Sequence, residues 1–519
     1  MTERPLTDQG SKEASSGGSD ISGLARRGLL SLGGAGVSAV ASFVLIVVVT
    51  RSFGKETAGY LFSATSLFVI AESLCALGTA TGMVYFIARL RALGRGDAVR
   101  ALIGVAVRPV AIASVLAGTG LFLAAPALAE QLGSGGSTAQ ATQFIRVVAV
   151  FLPFATCYDV FIAATQGFHT MTPTVALEKV GRPVIQLGAL AVAGAFGLAW
   201  LLPYAWAAPY LVALVLVAVW LARLVRHDAA AENATSDRAV TTGAFWRYTA
   251  PRGIASAAQL SLQRLDIVLV ALYLGPAEAA IYTAATRFVV LGQLGSQAVA
   301  LAVQPKFAEL LAHDDRVSAR QVYRTTTAWV MAVTWPVHLV VAVLAPVVLR
   351  IFGPGYDSGW SVVVVLALTM LFATSCGMVT MLLVMAGKTT WNLLNVLVAL
   401  TANLVLNLTL IPVWGIFGSA VAWSVAIALS NALPLFQVRR ALGLDPFGRG
   451  SVAVAGLATL CFAAVPGLGW LLGGDPVLLV GLTVVGGVLY AVGLWFLRGV
   501  LELDGLVGSI AGRLRPRRV

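Results

Sequence analysis

Charge is what this sequence lacks most. Only 11% of its 519 residues are Asp, Glu, Lys or Arg, against roughly 25% in soluble domains. A chain folded in water along its whole length is thereby excluded. No charged side chain occurs between Arg182 and Arg223, or between Lys388 and Arg439. Cysteine is also scarce. Cys75, Cys157, Cys376 and Cys461 are scattered through apolar segments with no CxxC pair, which argues against a disulfide framework or a thiolate metal site. The four histidines, His169, His227, His313 and His338, show no HExxH spacing. No phosphate-cradling glycine loop followed by Lys and Ser or Thr is present, so direct use of ATP is not expected. The longest connection, about 225–245, is too short for a catalytic domain. The expectation is therefore no enzyme and no cofactor.

What the sequence has instead is apolar length. It is 58% hydrophobic, and its mean hydropathy is +0.87. Windows of about 20 apolar residues, the length that crosses a bilayer, predict fourteen spans: 26–50, 58–88, 100–125, 140–165, 174–199, 203–224, 246–273, 277–304, 324–349, 358–386, 390–411, 415–438, 450–472 and 476–497. The first begins at Arg26-Arg27. It is long enough to stay in the membrane, and Thr50-Arg51 ends it where a secretion signal would carry small residues.

The net charge of +12 does not point to nucleic acid, because the basic residues sit between spans, as the positive-inside rule requires. One side would hold Arg89, Arg91, Arg95, Arg100, Arg223, Arg226, Arg238, Arg316, Arg320, Arg439, Arg440 and the tail arginines. The other holds little beyond Arg51, Lys55 and Arg350. Both termini are expected in the cytoplasm. The composition suggests a bacterial plasma membrane.

Two features organise the chain. The segment around Thr50-Arg-Ser-Phe-Gly54 recurs around Tyr273-Leu-Gly-Pro276, with Ser63-Ala-Thr65 falling on Ala284-Ala-Thr286 and Arg26 on Arg247. Six spans separate the copies, so they share one orientation, a transporter arrangement. The second feature is the uncharged stretch Asn392–Val438. Ile411-Pro-Val-Trp-Gly415 divides it into two helices, and the first carries Asn392, Asn395, Asn403 and Asn407. Asn403 and Asn407 share one face; they are either glue between helices or the lining of a polar path. The expected fold is an all-α polytopic membrane protein. Its parts are a tail (1–23), a six-helix lobe (24–225), a linker (226–245), a second pseudo-symmetric six-helix lobe (246–440), an added helix pair (441–498) and a basic tail (499–519).

Charges placed deep in spans cost a few kcal/mol each even on lenient scales, and so are functional candidates. These are Glu72, Arg146, Asp159, Arg264, Asp266, Arg287 and His338, with Glu178, Lys179 and Arg182 at the inner mouth of span 5 and Arg252 two turns into span 7. Arg264 and Asp266 are two residues apart, so they face different sides of one helix. His338 is expected to be a packing residue. Trp200, Tyr204, Trp206 and Tyr210 are expected to anchor an interface.

In order and spacing, Gly54, Gln263-Arg-Leu-Asp266, Tyr273-Leu-Gly-Pro276, Ala386-Gly-Lys388, Asn403-Leu-Val-Leu-Asn407 and Leu410–Ala422 resemble the polysaccharide flippases, the Wzx-type branch of the multidrug/oligosaccharidyl-lipid/polysaccharide exporter superfamily. The resemblance covers about 24–440. It is less close to the lipid II flippase branch, because Arg51 is followed by Ser-Phe-Gly and no arginine–aspartate pair stands there. The resemblance implies two lobes that move a lipid-linked oligosaccharide across the membrane by alternating access. Arg146, Arg264 and Arg287 would then hold diphosphate or acidic sugar. Glu72, Asp159 or Asp266 would couple an ion, and Lys179, Arg182 and Arg252 would line the inner mouth. Implied partners are the glycan-lipid, membrane lipid, a glycan polymerase and glycosyltransferases. A cation-coupled exporter of the same superfamily, or a membrane-embedded glycosyltransferase, remain alternatives at this point.

Overall fold

The computed structural model describes residues 33–96, 98–132, 137–230 and 242–501. The expected tail 1–23, most of the tail 499–519 and the central part of the linker 226–245 lie outside these residues. The two ends of that linker are helix: Leu202–Ala230 runs into it and Thr242–Leu274 starts within it.

Among the described residues there are helices and no strand. Eleven helices of the described residues are long and apolar enough to cross a membrane. One of them, Thr389–Leu442, is two passes, because Gly415 leaves helical geometry (φ 59°, ψ −142°). This is the expected turn, and a glycine is needed there since a Cβ penalises positive φ. With the broken and less apolar passes added, about fourteen spans result. We number the helices α1 (Gly33–Ser52), α2 (Lys55–Cys75), α3 (Thr79–Ala92), α4 (Ala98–Leu132), α5 (Thr138–Gly167), α6 (Arg182–Ala195), α7 (Leu202–Ala230), α8 (Thr242–Leu274), α9 (Pro276–Ala312) and α10 (Arg316–Val343). The remaining helices are α11 (Ala345–Leu349), α12 (Trp360–Ser375), α13 (Val379–Met385), α14 (Thr389–Leu442), α15 (Arg449–Thr459), α16 (Val465–Leu471) and α17 (Pro476–Phe496).

Several passes depart from the continuous helices read from hydropathy, and three of them bear on the site. The second is broken between α2 and α3, where Leu77 (φ 50°) and Gly78 (φ 74°) are both left-handed. The tenth is broken between α12 and α13 at Gly377 (φ 64°). The fifth opens with a π-helical stretch, Thr174–Gly181, before α6. Irregular backbone in a membrane is tolerated where protein or a polar cavity covers it. Here the Leu77–Gly78 break is covered by α8. A Cβ on Gly253 would fall 2.5 Å from the Leu77 carbonyl carbon, so α8 approaches with backbone against backbone.

The first half of the chain meets the second largely through α2 and α3, with α1 and α4 adding contacts. At the arginine-poor end, Gly59 lies against the Pro276 carbonyl, which only a glycine permits. Arg51 donates from Nε to the Ile351 carbonyl (2.8 Å) and from Nη2 to the Arg350 carbonyl (3.0 Å). Lys55 Nζ donates to the Gly355 carbonyl at 3.0 Å. Beneath them Phe43, Phe288 and Phe352 form an aromatic plug, with centroids 5.5–5.8 Å apart. At the arginine-rich end Tyr85 stacks on Tyr248 at 4.6 Å. The two halves therefore touch at both ends of the α2–α3 pass.

Polar residues inside the second half largely satisfy one another. Asn395 and Gln437 exchange reciprocal amide hydrogen bonds of 2.8 and 2.9 Å, joining the two arms of α14. Asn407 accepts from Ser419 at 2.7 Å and donates to the Asn403 carbonyl at 2.8 Å. Asn407 thus serves as glue, whereas both amide atoms of Asn403 are buried without a partner.

A charged cavity between the two halves

Between these contacts lies a cavity of about 440 Å³. One wall comes from the first half of the chain: Glu72 of α2, Asp159 of α5, Glu178 of the π stretch, and Arg182 of α6. The opposite wall carries Arg264 of α8 and Arg287 of α9. The charges are partitioned, with three carboxylates and one guanidinium facing two guanidinium groups.

Local structure sets each position. The π stretch ends at Gly181, directly before Arg182. A π turn rotates the residues beyond it relative to a regular helix, and Arg182 faces inward. Its guanidinium lies 4.6 Å from the Tyr210 ring centroid. Its Nη1 donates to the Tyr210 hydroxyl at 3.2 Å and is 3.5 Å from Gln186 Oε1. Gln186 is fixed in turn by donating to the Trp206 carbonyl at 2.6 Å. Phe68 packs edge-on against Trp206 at 5.2 Å. Arg182 Nε is buried without a partner. Arg287 donates from Nε to the Thr283 carbonyl at 3.3 Å, which leaves most of its five-donor fork for the cavity. Arg264 and Arg287 are close enough to interact electrostatically. The Asp266 carboxylate lies near enough to both to offset part of their repulsion, and their remaining donors face the cavity, where an anionic ligand could take them.

The residues singled out from the sequence separate into groups. Glu72, Asp159, Arg182, Arg264 and Arg287 are brought together in this cavity. Arg146 is not among them. It is exposed on another surface, over the Phe122 ring at 5.0 Å, in a shallow depression shared with Gln143 and Tyr204. Arg252 is exposed and stacked on Tyr248 at 3.8 Å, with Nη1 donating to the Tyr248 carbonyl. Lys179 flanks Gly34 of α1. Asp266 is 2% exposed and turned into the second half. It accepts from the Tyr282 hydroxyl at 2.6 Å and from the Ile267 amide at 2.9 Å. Among the described residues no three of His, Cys, Asp and Glu cluster as a metal site would.

Sequence reasoning grouped Trp206 and Tyr210 with the interface anchors, and the structure places them in the cavity wall. Trp200 and Tyr204 are exposed as an interface anchor would be, but Tyr210 is 5% exposed and lines the cavity with Trp206. Hydropathy gives depth in the membrane and not direction around the helix, so no signal separated the two pairs.

The model of the polysaccharide biosynthesis protein family matches residues 24–311. The chain belongs to that family. Solved structures share the fold of this polysaccharide biosynthesis family member over most of their length. The lipid II flippase MurJ in an inward closed conformation superposes with a TM-score of 0.70 at 13% identity, covering 91% of this chain and 99% of MurJ. An inward-facing multidrug resistance MATE family transporter of the MOP superfamily gives 0.66 at 14% identity, covering 78% and 94%. The MATE multidrug transporter DinF-BH gives 0.58 at 17% identity, covering 80% and 95%. No curated protein sequence matches the chain. The family member is a multi-pass membrane protein with the same fold as these flippase and transporter structures.

Proposed function

We propose that this protein flips a polyprenyl-diphosphate-linked oligosaccharide from the inner to the outer leaflet of a bacterial plasma membrane by alternating access, for export of a surface polysaccharide. The observation that carries the reading is the facing of Arg264 and Arg287, from adjacent helices, into a cavity between the two halves. Planar guanidinium forks suit the oxygens of a diphosphate. The 24–440 region forms two six-helix lobes, 24–225 and 246–440, which rock about the α2–α3 contacts. The membrane potential favours outward movement of an anion by about 2.3 kcal/mol per charge per 100 mV. Both termini are cytoplasmic in this reading, so the Arg51 end is external and is closed in this conformation.

Ion coupling has two supports. The carboxylates of Glu72 and Asp159 share the wall with Arg182. Asp266 joins Tyr282 on one side, and an unpartnered Asn403 amide lies in the same half. The test of the main reading is depletion of the protein in its host. Lipid-linked oligosaccharide should accumulate on the cytoplasmic leaflet while surface glycan falls. Normal surface glycan after depletion sinks the reading.

A second reading has one specific observation in its favour. The first-half wall carries three carboxylates, Glu72, Asp159 and Glu178, which suits a cationic cargo exchanged for cations. It is disfavoured by Arg264 and Arg287 on the facing wall. The two readings separate on whether purified protein binds lipophilic cations or inorganic diphosphate.

A further inference from the structure

A second cavity, of about 650 Å³, lies within the other half of the molecule among α8, α9, α10, α12, α13 and α14. Its lining differs in kind from that of the charged cavity. Gln259, Gln297, Asn392, Asn395 and Asn431 face it together with His338, and among the described residues no Asp, Glu, Lys or Arg lines it. Five carboxamides gathered around one void in a membrane lobe need an explanation, and for Asn392, Asn395 and Asn431, which are buried or half-buried, each costs free energy there unless it is hydrogen-bonded.

The hydrogen bonds of the lobe account for only part of this set. Asn395 is satisfied by Gln437. Asn431 spends its amide nitrogen on the Ile427 carbonyl at 2.8 Å. His338 uses Nδ1 on the Thr334 carbonyl at 2.8 Å, but its Nε2 is buried without a partner, in a residue only 2% exposed. Gln259, Gln297 and Asn392 make no side-chain hydrogen bond among the described residues. One wall is closed by His338 packed directly on Gly292. A Cβ on Gly292 would run into the His338 imidazole, and the break at Gly377 leaves unwound backbone at the wall.

Carboxamides offer donors and acceptors side by side. That is the requirement of a ligand dense in hydroxyl groups, each both donor and acceptor. A phosphate would find no cation here, and an apolar tail would leave the amides unpaired. The volume falls within the range of small-molecule sites and exceeds what a few bridging waters need. Gln259 and Gln297 are exposed, and so give access to the interior.

We propose that this cavity is a subsite for neutral sugar units, uncharged hexoses or N-acetylhexosamines, of the transported glycan. It rests on the flippase reading above and adds to it a division of labour. The diphosphate is held by Arg264 and Arg287 between the lobes, and sugar hydroxyls are held by carboxamides inside one lobe.

The test is saturation-transfer NMR on the full chain in lipid nanodiscs, with maltotetraose as the probe. Wild-type protein should transfer saturation to the probe, and inorganic diphosphate should not compete. The double variant Asn392→Leu/Asn431→Leu should lose at least about fivefold of the signal. Gln297→Leu, an exposed position with little bearing on folding, should lower it as well, and Arg287→Ala should not. Absence of transfer to wild type, or full transfer in both carboxamide variants, overturns the subsite. Failure of the flippase reading is seen separately, as normal surface glycan after depletion.

Discussion

Cells in which Arg287 is replaced by Ala should deliver about a tenth or less of the normal surface glycan, with the protein still folded in the membrane. Arg287 fixes only its Nε, on the Thr283 carbonyl, and gives the remaining donors to the cavity. A hydrogen bond to a charged group is worth about 1.5–3 kcal/mol, which is about ten- to 150-fold in affinity. The loss should exceed this if the guanidinium meets the diphosphate more closely midway through transport than in the resting complex. Folding should survive, because removing Arg287 relieves its repulsion with Arg264, and Arg264 remains as a counter-charge to Asp266. Lys at the same position should restore part of the activity, since it keeps the charge but loses the fork. Surface glycan measured against protein level in membranes separates the cases. Normal glycan at normal protein level contradicts the role.

Gly253→Val should open the molecule at its arginine-rich end. Position 253 of α8 meets the left-handed break at Leu77–Gly78 with no space for a side chain. Forcing extra atoms into a packed interface costs about 1–3 kcal/mol. If that contact exists in only one of two alternating conformations, the population of that conformation falls by about five- to 150-fold. Spin labels on Leu93 and Val317, both exposed and on the same end of the bundle, report the change as a distance distribution. The variant should shift toward longer distances and transport slowly. An unchanged distribution would mean that α3 and α8 move together as one body. A Cβ on Gly104 meets nothing within 4 Å, so Gly104→Val is the matched control.

The fold was largely legible because a bilayer imposes a coarse code. Apolar length gave the passes, and Ile411-Pro-Val-Trp-Gly415 marked the turn that the structure places at Gly415. The breaks at 76–78 and 376–378 were not legible. Glycine is common in membrane helices, and nothing in Ala76-Leu-Gly78 or Cys376-Gly377 separates them from glycines such as Gly118 or Gly188 that continue a helix. Only the tertiary context, α8 covering one break and a carboxamide cavity beside the other, makes these the places where the backbone unwinds.

The charges tell the same story at the site. Depth ranked Arg146 with Arg264 and Arg287, yet Arg146 faces away from the cavity that the other two share. Conversely, Arg182 stood at a span end and was assigned to the mouth. The π stretch before it and the Tyr210 ring beneath it draw its guanidinium into the wall. Direction around a helix depends on which neighbours it packs against, and a π turn resets it by a fraction of a turn that no hydropathy pattern encodes. The result is a cavity with carboxylates and one arginine on one wall and two arginines on the other; the sequence placed both kinds deep in the membrane without sorting them by wall. In the flippase reading, Tyr210 and Gln186 hold Arg182 within the acidic wall and the two arginines opposite receive the cargo.

The most direct measurement of that claim is leaflet exchange in proteoliposomes. A fluorescent polyprenyl-diphosphate oligosaccharide is loaded in the inner leaflet with an inside-negative potential imposed, and an impermeant quencher reports its arrival outside. Wild-type protein should move the probe well above the rate of empty liposomes, and the Arg264→Ala/Arg287→Ala variant should fall to the empty rate. Equal rates in wild type and variant, or a wild type no faster than lipid alone, would contradict the account.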